Sequence, residues 1–374
     1  MRFSDIPGHK EIKAQLRQLV DSGRIPHALL LEGPEGIGKH ALARAFIQYV
    51  TCSNRRNGDS CGVCPACVQH AALQHIDTIY TFPYVKPASS KTYVCDDYLR
   101  DFIDFVNDSP YMDTTKWAIK LGNPNTKPVI YVDEATELIR KLSYAPHSSR
   151  YKSVIIWQAD KLNDTAANKL LKLIEEPPGQ AIIVMTSSEP MNILPTVYSR
   201  VQRIKVPRHA DEEVANFIMT TTDTDVNMAV SLAPLARGSF LQAIQLVEKR
   251  NDTERYLEKF ISLMRLAYQR DIHALKEWAN ETGGEKRDYI VGYLEYMARM
   301  LRENFISNLH DASFTLMMPA ESNFSKNFAR FVNERNVIGL YEAVSQAIVD
   351  IRGNANTRIV LFDLAITVIL LLKQ

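Results

Sequence analysis

Short apolar runs alternate with amphipathic stretches over the first half of the chain. The runs are rich in β-branched side chains, which is typical of buried strands. They are HALLLEG, PVIYV, SVIIW, AIIVM and RIKV. Segments with apolar residues at helical spacing separate them, such as KEIKAQLRQLVDSG and KHALARAFIQYV. Because helices come between successive strands, the pattern predicts an α/β fold with a parallel sheet covered on both faces.

The helix after SVIIW has clear start and stop signals. Asn163 and Asp164 are good N-caps, and Pro177 and Pro178 cannot continue a helix. Its predicted apolar face consists of Ala167, Leu170, Leu171 and Ile174.

Strand signals fade after Pro207, and helical periodicity takes over. The segments ADEEVANFIMTTTD and GSFLQAIQLVEKR predict a small helical domain, and everything from about residue 251 onward reads as helical. The predicted domains are therefore 1–208, 209–250 and 251–374. Within the first, residues 84–128 contain KPASSK and GNPNTKP and are predicted to be an irregular insertion without a known motif.

Composition limits the class of protein. A chain of 374 residues predicts two or three domains, and 46% hydrophobic with 23% charged residues predicts folding throughout. The net charge of +1 gives no overall field toward nucleic acid or membranes. The first residues lack the apolar run of a signal peptide, and Asp363 interrupts an apolar terminal segment too short to span a bilayer. We therefore expect a cytoplasmic protein with a buried terminal helix and no membrane contact.

GPEGIGKH follows a predicted strand and opens a predicted helix, which is the setting of a phosphate-binding loop. Gly33, Gly36 and Gly38 would let backbone N–H groups approach phosphates, and Lys39 would reach the β- and γ-phosphates. A Gly-rich turn without a ligand is the alternative. The last position is His40, where a Ser or Thr hydroxyl normally ligates Mg²⁺. ATP or ADP binding therefore stays open, but Mg²⁺-assisted hydrolysis should suffer.

The second half of a hydrolytic site is also missing. Trp157 and Gln158 follow the apolar run Ser153–Ile156, where a metal-binding Asp and a water-polarising Glu would be expected. Asp160 lies three residues beyond Trp157, further along the turn, and is the alternative metal ligand that the sequence leaves open. Losses in two separate motifs indicate that hydrolysis is not the task of this chain.

Four of the five cysteines form the pattern C-x₈-C-x₂-C-x₂-C. Cys52, Cys61, Cys64 and Cys67 suit a closed, tetrahedral structural Zn²⁺ site within a module at about 51–70. Reduced buried thiols and an iron–sulfur cluster are the alternatives. Neighbouring side chains allow two further hypotheses, a histidine ligand and an anionic partner. These side chains are His70, His75, Arg55 and Arg56.

These motifs together resemble the bacterial clamp-loader subunits of DNA polymerase III, members of the AAA+ class. RIPHALLLEGPEGIGK, the four-cysteine module, KLNDTAANKLLKLIEEPP and TSSEPMNILPTVYSRV occur in the family's order over about residues 5–245. The resemblance implies an AAA+ P-loop domain with an inserted zinc module, a small helical lid and an all-α C-terminal collar. It also implies gamma/tau motor and delta subunits, the sliding clamp and primed DNA as partners within the complex.

Within that family, this sequence resembles the delta-prime kind of chain more than the motor kind. The sensor arginine that the motor subunits keep would fall near Leu241. The family's Ser-Arg-Cys motif, whose Ser-Arg part the delta-prime kind retains, appears as Ser199, Arg200 and Val201. The resemblance implies that Arg200 acts in trans as an arginine finger on ATP bound by a neighbouring subunit. An arginine that caps a helix end is the alternative.

Two other functions remain open on the sequence. An active gamma/tau-like motor ATPase would need Asp160 or a nearby acid to hold the metal. A zinc-dependent nucleic-acid-binding module with a vestigial ATPase domain would bind DNA strongly and with salt sensitivity.

Overall fold

The structure, a computed structural model, describes residues 1–87, 92–123, 126–248, 250–308 and 315–372. The chain forms two compact units, Met1–Ile244 and Gln245–Gln374. The division into three domains stays a prediction. Part of KPASSK and of GNPNTKP lies outside the described residues.

Five parallel strands form the sheet of the first unit. Leu29 and Leu31 of the first strand pack into one apolar layer, whereas Ala28 and Leu30 pack into the opposite one. The predicted α/β fold, with a parallel sheet covered on both faces, is therefore confirmed. The strands are β1 (Ala28–Glu32), β2 (Thr78–Thr81), β3 (Lys152–Ile156), β4 (Ala181–Ser187) and β5 (Gln202–Lys205). They lie side by side in the order β2-β3-β4-β1-β5.

Helices cover both faces of this sheet. Leu16 and Phe46 belong to one layer and Leu138 and Leu170 to the other. The helices up to the sheet's last strand are α1 (Lys10–Asp21), α2 (Lys39–Thr51), α3 (Pro65–Ala71), α4 (Leu99–Asp108), α5 (Thr114–Lys120), α6 (Val132–Leu142), α7 (Asp164–Glu175) and α8 (Pro195–Tyr198). Those after it are α9 (Asp211–Thr221), α10 (Val226–Leu232) and α11 (Phe240–Glu248).

Two sequence expectations about the first unit are wrong. PVIYV is not a strand: Val129 and Ile130 make isolated bridges, and α6 begins at Val132. The described part of the 84–128 insertion is not irregular, because it contains α4 and α5. Phe102, Phe105 and Val106 bury one face of α4 at helical spacing, a signal that the Pro- and Gly-containing flanks obscured.

The second unit is helical in the described residues and has its own apolar core. Its helices are α12 (Arg250–Gln269), α13 (Ile272–Thr282), α14 (Arg287–Ser307), α15 (Pro319–Phe328), α16 (Val337–Arg352) and α17 (Thr357–Leu371). Leu361, Leu364 and Val368 of α17 are buried, as expected for the terminal segment. Among the described residues, no helix has the length and apolar character needed to cross a membrane.

Candidate functional site

The Gly-rich loop connects the carboxyl end of β1 to α2, so it lies where open α/β sheets place their ligands. Gly36 and Gly38 have φ values of 74° and 89°, a left-handed region that favours glycine. The loop therefore has the backbone course that the sequence predicted for a phosphate cradle.

Lys39 is turned onto the loop itself. Its Nζ donates to the carbonyl oxygen of Gly33 at 2.7 Å, to that of Pro34, and to Ser188 Oγ at 3.2 Å. The side chain is buried, and this burial lowers the pKa of Lys39 to about 8 despite opposing effects of Glu35 and Asp160. The amine that would face phosphates is thus satisfied within its own chain.

The insertion fills the space in front of the loop. Pro110, Tyr111 and Met112 line the cavity there, which has a volume of about 20 Å³. That space has room for about one water molecule. A Cβ atom placed on Gly38 would lie 3.3 Å from Cε1 of Tyr111. The segment for which the sequence suggested no role therefore occupies the nucleotide side of the loop.

The region after β5 closes the loop from a second direction. A Cβ atom on Gly36 would overlap Leu241 and Ser239, and Leu241 donates its N–H to the Gly36 carbonyl oxygen at 3.3 Å. Ser239 Oγ donates to the Glu35 carbonyl oxygen at 3.0 Å. Leu241 thus packs directly against the Gly-rich loop.

An aromatic cluster connects the insertion to the region after β5. The ring of Tyr111 lies edge-on to Phe217 and Phe240, with centroids 5.2 and 5.1 Å away. Phe240 also stacks on Phe217 at 4.2 Å and on His209 at 3.8 Å. Edge-on and stacked pairs of this kind add to the stability that burial supplies.

His40 faces the core. Its side chain is buried, and neither ring nitrogen has a hydrogen-bond partner among the described residues. The ring lies edge-on to Phe102 at 6.0 Å. Burial holds the pKa of His40 well below its usual value, so the ring is neutral. It supplies neither an oxygen ligand for Mg²⁺ nor a charge for phosphate.

The two residues after β3 are used for packing and hydrogen bonding. Trp157 is buried beside Phe102 and Phe105, at centroid distances of 6.0 and 6.2 Å. Gln158 Nε2 donates to Thr114 Oγ1 at 3.2 Å. Thr114 donates in turn to Glu35 Oε1 at 3.0 Å, so this chain of bonds ties the insertion to the loop.

Asp160, the alternative metal ligand, is engaged elsewhere. Its Oδ1 accepts from Ser187 Oγ at 2.6 Å and from the Ser188 N–H at 3.2 Å. Its Oδ2 lies 3.2 Å from Lys161 Nζ. The side chain is fully buried, and these contacts direct it to the end of β4.

Arg200 lies outside the phosphate-loop cavity, on the surface after α8. Its Nε donates to Glu175 Oε1, and its Nη1 donates to the Thr196 carbonyl oxygen at 2.9 Å. The side chain is 39% exposed. Ser199, beside it, is the C-cap of α8 and donates its hydroxyl to the same carbonyl oxygen at 3.3 Å.

The four cysteines of the pattern converge. All four Sγ atoms lie within 4.8 Å of one another, with Cys61–Cys67 at 3.9 Å and Cys52–Cys64 at 4.0 Å. Zn–S bonds of about 2.3 Å in a tetrahedron place sulfur atoms about 3.8 Å apart, so the cluster fits a zinc ion. N–H groups of Cys61 and Cys64 donate to neighbouring sulfurs at 3.3 Å, which stabilises thiolates.

The side chains near this cluster have other partners. His70 accepts or donates a hydrogen bond with Thr51 Oγ1 at 2.8 Å and stacks on His75 at 4.2 Å. Arg55 lies over the ring of Tyr49 at 5.1 Å. The four thiols are the one group of possible metal ligands found in the described part of the chain.

Comparison with known proteins decides the family. A family model described as DNA polymerase III, delta subunit, matches residues 8–210, more than half of the 374-residue chain. The chain belongs to this family. It is a clamp-loader subunit of the AAA+ class, as the order of its motifs predicted.

Relatives of both kinds resemble this clamp-loader chain. DNA polymerase III subunit gamma/tau of Mycobacterium tuberculosis is 31% identical over 198 residues, covering 53% of this chain and 27% of that protein. Subunit delta' of Pseudomonas aeruginosa is 30% identical over 183 residues, covering 49% and 44%. This chain thus spans less than half the length of either relative. A solved gamma subunit-related protein of Thermotoga maritima is 14% identical, covers 96% of this chain and 99% of its own, and has a TM-score of 0.42.

Sequence reasoning missed two features of this clamp-loader subunit. The first is the covering of the loop by Tyr111 and Thr114, which are distant from it along the chain. The second is Glu175, which holds Arg200. The segment LKLIEEPP could have indicated this residue. Pro177 ends the helix, so the position of a carboxylate in its last turn is defined.

Proposed function

We propose that this chain is a delta-prime-like stator of the clamp loader. It helps to load the sliding clamp onto primed DNA together with gamma/tau motor and delta subunits, and it does not hydrolyse ATP itself. Arg200 acts in trans as an arginine finger on the ATP bound by a neighbouring subunit, and Ser199 lies beside it. The lid at 209–250 and the collar at 251–374 are part of the same proposal.

One contrast carries this proposal. The loop of Gly33, Gly36, Gly38, Lys39 and His40 is closed by its own chain, whereas Arg200 presents a cation on an exposed surface. A subunit that supplies the finger needs the AAA+ frame but not its own Mg²⁺ ligands. Zn²⁺, held by the four cysteines, would contribute folding energy to the first unit, because four protein ligands leave no open position for catalysis.

The test is ATP turnover by the purified chain alone and then in a mixture with gamma/tau and delta subunits, clamp and primed DNA. We expect a silent lone chain and a mixture whose turnover depends on Arg200. Steady turnover by the lone chain would show a motor ATPase instead. Tight, salt-sensitive DNA binding by the lone chain would favour a nucleic-acid-binding module.

A further inference from the structure

The guanidinium of Arg200 is held from one side only. Its Nε donates to Glu175, and its Nη1 donates to the Thr196 carbonyl oxygen at 2.9 Å and lies 3.5 Å from Ser199 Oγ. Nη2 makes no hydrogen bond to any residue that the structure describes. Nη2 is therefore available to donate hydrogen bonds to an anion.

The carboxylate that holds Arg200 has a fixed origin. Glu175 is the last residue of α7, whose first turn is capped by Asn163, with Asn163 Oδ1 accepting from the Ala166 N–H at 2.8 Å. Pro177 follows within two residues and prevents the helix from continuing. Glu175 thus approaches Arg200 from a rigid element and not from a loop.

Stability alone does not account for this pair. The side chains of Arg200 and Glu175 are 39% and 47% exposed, and exposed ion pairs contribute little to folding. An arginine that stabilises charge on a transferred phosphoryl group gains most when its orientation is set before the reaction. The Nε contact sets that orientation without using the donor that an incoming phosphate oxygen would need.

We propose that Glu175 is a positioning residue for Arg200: it fixes the guanidinium by Nε so that Nη2 points toward a phosphate of the neighbouring subunit's nucleotide. This inference rests on the proposed function of Arg200. Glu176 is the natural control, because it is exposed and its carboxylate has no hydrogen bond or ion pair within the described ranges.

The experiment measures ATP turnover of the mixed assembly against ATP concentration, with the full-length chain as wild type or variant. We expect Glu175→Ala to lower kcat roughly tenfold, because a misplaced reacting group loses about that much or more, and to leave KM unchanged. The kcat of Glu175→Gln should lie between those of wild type and Glu175→Ala, since the amide oxygen still accepts from Arg200 Nε. Glu176→Ala should match wild type.

A double-variant cycle separates positioning from a structural effect. In an Arg200→Ala background, Glu175→Ala should cause no further loss, because it acts only through Arg200. Further loss there, or poorer assembly by gel filtration, would mean a structural role. Unchanged or faster turnover by Glu175→Ala would also overturn the inference. The carboxylate would then either have no effect on Arg200 or hold it away from its catalytic position. If Arg200→Ala itself has no effect, the proposed function fails, and that outcome is distinct from the others.

Discussion

The phosphate loop and the Arg200 surface each present a cation, but their surroundings are opposite. Lys39 is 7% exposed and donates to three groups of its own chain. Arg200 is 39% exposed, and its Nη2 makes no hydrogen bond to the described residues. One cation is thus packed within its own chain, and the other is exposed on the surface, where the proposed function would bring it to a neighbouring subunit.

The largest effect should come from truncating Arg200, with the matching truncation of Lys39 as the comparison. Arg200→Ala should lower ATP turnover of the mixed clamp-loader assembly roughly 10³-fold or more, because an arginine finger contributes that much to phosphoryl transfer. Lys39→Ala should leave the same turnover unchanged, since under the proposed function no reaction takes place at its loop. Equal losses in the two variants would break the comparison, provided that gel filtration shows both assemblies intact.

Restoring an acid at the closed site should be costly. Trp157→Asp places a carboxylate among Phe102 and Phe105 and leaves a cavity there. We expect a loss of about 3–5 kcal/mol in the free energy of unfolding and no gain of hydrolysis. Trp157→Phe, which keeps an apolar ring, should lose about 1–2 kcal/mol. Hydrolysis by Trp157→Asp would mean that the site is a damaged motor and not a packed core.

The parallel sheet and the phosphate-loop position could be predicted because both depend on local sequence. SVIIW and AIIVM are buried on both faces, so their apolar character is continuous and identifies them as strands. TIYT, the source of β2, was missed because only Ile79 and Tyr80 in it are large and apolar. PVIYV was wrongly predicted as a strand, because a short apolar run that leads into a helix has the same sequence pattern as a buried strand.

Closure of the loop could not be predicted, because it depends on contacts between distant segments. Nothing in the sequence next to Gly38 indicates that Tyr111 packs there, or that Leu241 overlies Gly36. The losses at His40 and Trp157 indicated a disabled site but not what fills it. Residues that carry metal-ligand spacing, such as the four cysteines, were identified because chelation imposes its own sequence pattern.

Metal removal should affect folding and neither of the two cationic sites. Stripping zinc, or the variant Cys64→Ser, should lower the melting temperature of the first unit by roughly 10 °C, which corresponds to about 3 kcal/mol. Metal analysis should find one zinc per chain before stripping. An unchanged melting temperature would rule out a structural zinc. Hydrolysis by the lone chain that appeared when the metal was stripped would contradict the separation of metal and chemistry.

The smallest effect concerns the histidines under the closed loop. His9 and His209 both place Nε2 on the Ile37 carbonyl oxygen, at 2.8 and 3.2 Å, and their rings lie 4.0 Å apart. Burial first, and then His209, lower the pKa of His9 from 6.5 to about 4; Lys13 acts in the same direction, and Ile37 and Glu213 oppose it. The pKa of His209 is lowered as well, chiefly by burial.

These shifts set the direction of the pH dependence. The unfolded chain binds more protons than the folded one between pH 6.5 and about 4, so the stability that neutral His9 contributes is complete above pH 6.5 and is lost as pH falls through that range. We expect His9 to account for about 2 kcal/mol of lost unfolding free energy between pH 7.5 and pH 5. His9→Gln keeps a donor for the Ile37 carbonyl oxygen but cannot titrate, so its stability should fall less over the same range. Equal slopes for the variant and wild type would mean that protonation of His9 does not cause the loss of stability over this range.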